Sequence, residues 1–156
     1  MINCLVIFFN SDLVVVAGAH DINDPRNEII RTISKVDEHP NYSEQINDYD
    51  FAILFLKEPM PSDSRAIPAC LPPSSWNEEF LVGKDLTISG WGETDESGSP
   101  STVLQSAIVT AVSNSKCQNL YDNIMITDQM ICAGNLDKGG VDACRGDGGG
   151  NTKYVS

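Results

Sequence analysis

Val141 to Asn151 reads VDACRGDGGGN, and with Gly140 just before it the stretch holds five glycines in twelve residues. Such a run is neither helix nor regular strand. Glycine at this density permits unusual dihedrals and lets other groups approach the backbone closely. Successive backbone N–H groups in a loop of this kind can form a concave nest for an anion. A nucleotide phosphate loop is excluded, because no Lys-Ser or Lys-Thr pair follows the glycines.

Outward from this loop the chain is built of short apolar runs separated by turn residues. Leu5–Phe9 gives way to Asn10-Ser11-Asp12, and Leu13–Ala17 ends at Gly18. Ile29–Val36 alternates loosely and stops before His39-Pro40-Asn41. Phe51–Leu56 reads FAILFL, a continuous apolar run expected to form a strand buried on both faces. Leu86–Ser89 and Leu104–Val112 read as further strands. Many short strands with Gly, Pro, Asn and Asp between them define an all-β class, a sandwich or a barrel. One helix is expected over Lys116–Tyr121, capped by Ser113 or Ser115, with Leu120 and Tyr121 turned inward. Glu58–Lys84 holds five of the eight prolines and reads as a linker between two halves.

Composition narrows the function classes. The 156 residues carry 10 Lys+Arg against 22 Asp+Glu, a formal net charge of −12. That balance argues against nucleic acid as a partner, since phosphate binding needs clustered cations, and against an anionic membrane surface. At 41% hydrophobic and 21% charged, the chain is globular rather than disordered. The five cysteines, Cys4, Cys70, Cys117, Cys132 and Cys144, include no CxxC pair, and only two histidines accompany them. A zinc site of standard spacing is not expected, and a disulfide-using extracellular protein fits better. Met1–Phe9, MINCLVIFF, has no basic start and no small-residue cleavage site, and is too short for a signal peptide or a membrane span. It reads as a strand, with the expectation that an upstream segment is missing.

Taken in order, the segments resemble the trypsin/chymotrypsin family of serine proteases. The matching stretches are LVVVAGAH (Leu13–His20), EHPNYS (Glu38–Ser43), DFAILFL (Asp50–Leu56), ACLP (Ala69–Pro72) and ISGWG (Ile88–Gly92). Leu104–Cys117 and MICAG (Met130–Gly134) continue the pattern, and DACRGDGGG (Asp142–Gly150) stands where the family has DACxGDSGG. The resemblance implies a double β-barrel of the trypsin/chymotrypsin type, incomplete at both ends. It implies a single partial peptidase domain over 1–156: a first-barrel portion 1–57, an inter-barrel linker 58–84 and a second-barrel portion 85–156.

The family chemistry needs a serine to attack, a histidine to take its proton and an aspartate to hold the imidazole. By resemblance Asp50 takes the aspartate position. Gly148 occupies the nucleophile position, so the serine hydroxyl is missing. Asn3 stands at the possible base position, where an amide cannot act as a base. The N–H groups of Gly146 and Gly148 match the oxyanion-hole positions, and Asp142 matches the residue that selects Arg or Lys side chains at the base of the specificity pocket. Asp147 matches the aspartate that receives a new N-terminal amine on activation. With no such partner in the sequence, its carboxylate is expected to stay exposed or to draw a proton if buried. Cys117 and Cys132 match a family disulfide, whereas Cys4, Cys70 and Cys144 are expected to be unpaired. No cofactor and no metal are implied.

The resemblance thus implies a trypsin-like endopeptidase domain, catalytically inactive as written, with polypeptide substrates or protease-cascade proteins as partners and an extracellular location. The alternative is a non-catalytic protease homologue acting as a binding or cofactor protein in an extracellular cascade, which Gly146–Gly149, GDGG, also resembles. Three smaller motifs remain. Arg145-Gly146-Asp147 spells an adhesion tripeptide, but the protease pattern already accounts for its Gly and Asp. Asn41-Tyr42-Ser43 is a glycosylation acceptor in an expected loop. Asp21, Asn23, Asp24 and Glu28 form an acidic turn where some family members hold calcium, but Ala19 occupies a position where those members carry a glutamate ligand.

Overall fold

The computed structural model describes residues 4–9, 12–62, 66–95 and 98–154. Among these, eight strands fall into two separate four-stranded antiparallel sheets. The first is built from β1 (Cys4–Phe9), β2 (Asp12–Ala17), β3 (Ile29–Glu38) and β4 (Ala52–Leu56), in the order β1-β2-β3-β4. The second is built from β5 (Asp85–Gly90), β6 (Gln105–Val112), β7 (Cys132–Ala133) and β8 (Asn151–Tyr154), in the order β7-β6-β5-β8. Every pairing is antiparallel. Two short α-helices, α1 (Glu78–Leu81) and α2 (Asn114–Gln118), and a 3-10 turn at Pro25–Asn27 complete the described elements. The architecture is the all-β, trypsin-like one that the sequence resemblance implies.

The sequence explains where these elements start and stop. Asn77 caps α1 by accepting the Phe80 N–H at 3.0 Å, and Glu78 and Glu79 set negative charge in the first turn. Ser113 caps α2 in the same way through the Lys116 N–H at 3.3 Å. β6 begins at Gln105 rather than Leu104, because the Leu104 N–H leaves the ladder and donates to the His20 carbonyl at 2.7 Å.

Two small apolar clusters hold the sheets. Val14 and Val16, two residues apart on one face of β2, pack with Ala19, Trp91 and the half-buried Leu104. This cluster joins the first sheet to the residues that flank β5 and β6, and its rim is polar. The His20 carbonyl accepts from Leu104 N–H and from the Trp91 indole N–H at 3.2 Å, while Ile22 N–H donates to Thr102 at 2.8 Å. Farther along, the Thr127 hydroxyl donates to the Asp48 carboxylate at 2.6 Å. The second cluster, Leu86, Val109 and Ala111, lies within the second sheet and is flanked by Leu81, Ile88, Ala133 and Tyr154.

Two sequence expectations are corrected. FAILFL is not buried on both faces: Phe51 and Ile53 are each 57% exposed and Phe55 45%, whereas Leu54 and Leu56 are half-buried. β4 is an edge strand, and the face that carries Phe51, Ile53 and Phe55 is exposed. Leu120 and Tyr121 do not turn inward; α2 ends at Gln118, both side chains are exposed, and its buried residue is Cys117. Beyond the glycine loop, Asn151–Tyr154 forms β8, with Leu86 opposite Tyr154 and Ser89 opposite Asn151. Tyr154 is held there by aromatic contacts: its ring meets Trp76 and Phe80 edge-on at 5.6 and 5.9 Å, with the Lys84 ammonium 5.3 Å from its centroid.

Candidate functional site

The glycine-rich stretch folds around one carboxylate. Asp147 is half-buried and accepts the Gly92 N–H at 2.7 Å through Oδ1 and the Cys144 N–H at 2.9 Å through Oδ2. Its own backbone closes two turns, with its N–H donating to the Cys144 carbonyl (3.0 Å) and its carbonyl accepting from Gly150 (2.9 Å). Both carboxylate oxygens are therefore engaged by main-chain donors. The expectation that the Asp147 carboxylate stays exposed or draws a proton is corrected accordingly: it is half-buried and bonded by the main-chain N–H groups of Gly92 and Cys144.

This packing dictates the glycines of ISGWG. A Cβ on Gly90 would collide with the Asp147 carboxylate, and a Cβ on Gly92 would stand 2.5–2.6 Å from its carboxyl atoms. Gly146 adopts φ +99°, and a Cβ there would lie 3.1 Å from the Gly92 Cα. An L-residue is strained at that dihedral. These contacts were missed in the sequence reading, although the two glycines flanking Trp91 were the available signal.

The orientation of the Arg145–Gly146 peptide follows from a single bond. The Arg145 carbonyl accepts the Glu93 N–H at 2.9 Å. In a trans peptide the next N–H points the opposite way, so the Gly146 N–H faces away from Glu93. Neither this N–H nor that of Gly148 donates to any described residue. Nothing lies within 4 Å of the position a Gly148 Cβ would take.

A cleft of about 250 Å³ adjoins the loop. Its walls include Ile88–Gly90, Gly92–Thr94, Gly140–Ala143 and Asp147. Among the described lining residues, Glu93, Asp142 and Asp147 bear carboxylates and none is Lys or Arg. Asp142 is exposed and accepts the N–H of its neighbour Ala143 at 2.8 Å.

Other candidate residues lie apart from this cluster. Asp50 is exposed just before β4 and its carboxylate has no described partner; no described hydrogen bond links it to the glycine loop. Asn3 lies outside the described residues. His20 is exposed at the junction of the sheets. The His39 ring stacks on Tyr49 at 4.5 Å and leans on Phe51 at 4.7 Å, and its Nδ1 accepts the Asn41 N–H at 3.2 Å. Cys117 and Cys132 form the expected disulfide, with Cα atoms 6.3 Å apart. Cys70 and Cys144 are free and exposed, and the side chain of Cys4 lies outside what the structure describes. In the acidic turn, Arg26 binds Asp24 through Nε and Nη2, both at 2.6 Å. That side-chain hydrogen bonding holds the Asp24 carboxyl below its usual range.

The family model described as Trypsin matches residues 3–152. Among curated proteins, the chain is 41% identical over 119 residues to Trypsin 5G1 of Aedes aegypti, covering 76% of this chain and 44% of that protein. It is 39% identical over 139 residues to Trypsin eta of Drosophila melanogaster (89% and 52%), and 32% identical over 155 residues to Serine proteinase stubble of the same organism (95% and 19%). An antiparallel all-β architecture and a glycine loop wrapped around an aspartate accompany these matches. The chain belongs to the trypsin family of serine proteases. It spans about half or less of the length of each of these relatives.

Proposed function

We propose that this chain is a polypeptide-binding member of its family that does not cleave what it binds. The observation that carries the reading is Gly148: the position matching the family's serine offers no oxygen, so covalent catalysis has no starting atom. The histidines give no substitute base. The His39 ring is committed to Tyr49, Phe51 and Asn41, and His20 has no described contact with the loop. In a comparable triad, losing nucleophile or base costs around 10⁶ in turnover, roughly 8 kcal/mol of barrier.

What remains suits recognition. The unengaged N–H groups of Gly146 and Gly148 can donate to a bound carbonyl, as oxyanion-hole donors do. Asp142, in an acidic cleft whose described lining holds no Lys or Arg, favours a cationic side chain, which matches an Arg- or Lys-directed pocket. On this reading 1–156 is one partial peptidase domain with its linker at 58–84. The Cys117–Cys132 disulfide supports an oxidising, extracellular setting. Among the described residues no helix is long and apolar enough to cross a membrane. A binding or cofactor role in an extracellular protease cascade follows from the same features.

Labelling with a serine-directed fluorophosphonate, alongside Arg-ester hydrolysis, tests the proposal. The native chain and Gly148→Ser should both stay unlabelled and inactive, because a serine without a base keeps its proton. Since the space at Gly148 is open, the variant should fold with stability within about 0.5 kcal/mol of the parent. Stoichiometric labelling of the native chain, or rapid turnover by Gly148→Ser, would overturn the reading.

A further inference from the structure

We propose that Asn41 is the acceptor of an N-linked glycan. Asn41-Tyr42-Ser43 is the single Asn-x-Ser/Thr triplet in the 156 residues, and proline occupies neither Tyr42 nor the following Glu44. The structure adds what the triplet alone cannot: presentation. Tyr42 N–H donates to the His39 carbonyl at 2.9 Å, so His39–Tyr42 is a reverse turn with Asn41 at its third position. Asn41 is exposed there.

The backbone of the triplet is held while its reactive ends are not. The Asn41 N–H is bound by His39 Nδ1 at 3.2 Å. Ser43 and Asp48 exchange backbone bonds at 3.0 and 3.2 Å. The His39 ring anchors the turn, stacked on Tyr49 and tilted against Phe51. By contrast, the Asn41 carboxamide and the Ser43 hydroxyl make no described hydrogen bond. Asn77 and Asn114, whose carboxamides are engaged, head no such triplet.

In the transfer, Asn41 Nδ2 forms a bond to the anomeric carbon of a lipid-linked oligosaccharide. The bond from that carbon to the lipid pyrophosphate breaks, the pyrophosphate leaves on the lipid, and Nδ2 gives up one proton. No oxidant or reductant is needed. The inference rests on the extracellular reading above, because the donor is met in the secretory lumen.

The test expresses the whole chain in mammalian cells behind an added, cleavable export leader, beside Asn41→Gln and Ser43→Ala. The unmodified sequence should migrate heavier by one oligosaccharide. Peptide N-glycosidase should remove the difference and leave a carboxylate at position 41, read by peptide mass spectrometry. Both variants should run at the digested position. Cell-associated and secreted pools are both scored, because the sugar is attached before export, so a variant that misfolds and stays inside still reports. An intact Asn41 amide on leader-cleaved, undigested chain, or a shift that survives in Asn41→Gln, overturns the assignment. The added leader imposes the compartment, so failure here indicts the site. Absence of the natural gene product from the medium would instead indict the extracellular reading.

Discussion

Removing the Asp147 side chain tests whether the glycine loop is organised by its carboxylate. Asp147→Ala deletes two acceptors, leaving the Gly92 and Cys144 N–H groups, which donated at 2.7 and 2.9 Å, without partners. A hydrogen bond to a charged group contributes roughly 1.5–3 kcal/mol. Because Asp147 is only half-buried, water can replace part of each bond, and the expected loss is about 2–4 kcal/mol for the pair. For a domain of this size that lowers Tm by roughly 4–16 °C. Asp147→Asn gives the finer reading. Its amide keeps one oxygen for Gly92 but sets an NH₂ against the Cys144 N–H, so about half the loss, ~1–2 kcal/mol, should follow. Urea titration followed by circular dichroism, with midpoint and slope fitted separately, distinguishes lost stability from altered compactness. If Asp147→Ala lies within about 0.5 kcal/mol of the parent, the range of an ordinary surface change, the carboxylate does not organise the loop and the reasoning fails.

Gly92→Ala should destabilise by about 1–3 kcal/mol by driving its methyl into the same carboxylate, while Gly134→Ala, with nothing within 4 Å, serves as the tolerant control; equal thermal midpoints for the two would refute the close packing. Cys117→Ser opens a loop of sequence separation 15 and should cost about 3 kcal/mol, matched by adding reductant to the parent; a reductant-insensitive parent would contradict the bond. Ile53→Thr, on the exposed face of β4, should change stability by no more than about 0.5 kcal/mol and reduce concentration-dependent association in sedimentation velocity. A much larger loss would mean that this face is covered in solution.

Strand positions were legible because each apolar run is bracketed by turn residues. Leu13–Ala17, Ile29–Val36 and Leu86–Ser89 all fall within observed strands. The class of the fold was legible from ordered motifs, and so was the Cys117–Cys132 bond. Burial was less so. Periodicity cannot tell an edge strand from a central one when every residue is apolar, and FAILFL was misjudged for that reason. β8 escaped notice because a four-residue edge such as Asn151–Tyr154 is specified by its partner β5 and by the Trp76 and Phe80 rings, not by its own pattern. At the site, Asp147 was identified but not its partners. The donors come from Gly92, 55 residues away, and Cys144, and backbone donors have no residue-type signature.

The placement of the two tryptophans makes the molecule its own optical gauge. Trp91 is buried where the sheets meet, its indole N–H bound to the His20 carbonyl. Trp76 sits half-exposed over Phe80 and Tyr154, against the last described strand. Separation of the sheets would move water onto Trp91 and shift its emission to the red. Release of β8 would instead remove a tyrosine neighbour from Trp76 and change the aromatic ellipticity. Retaining one indole at a time, with phenylalanine replacing the other, would let a single unfolding experiment report which of these two junctions gives way first.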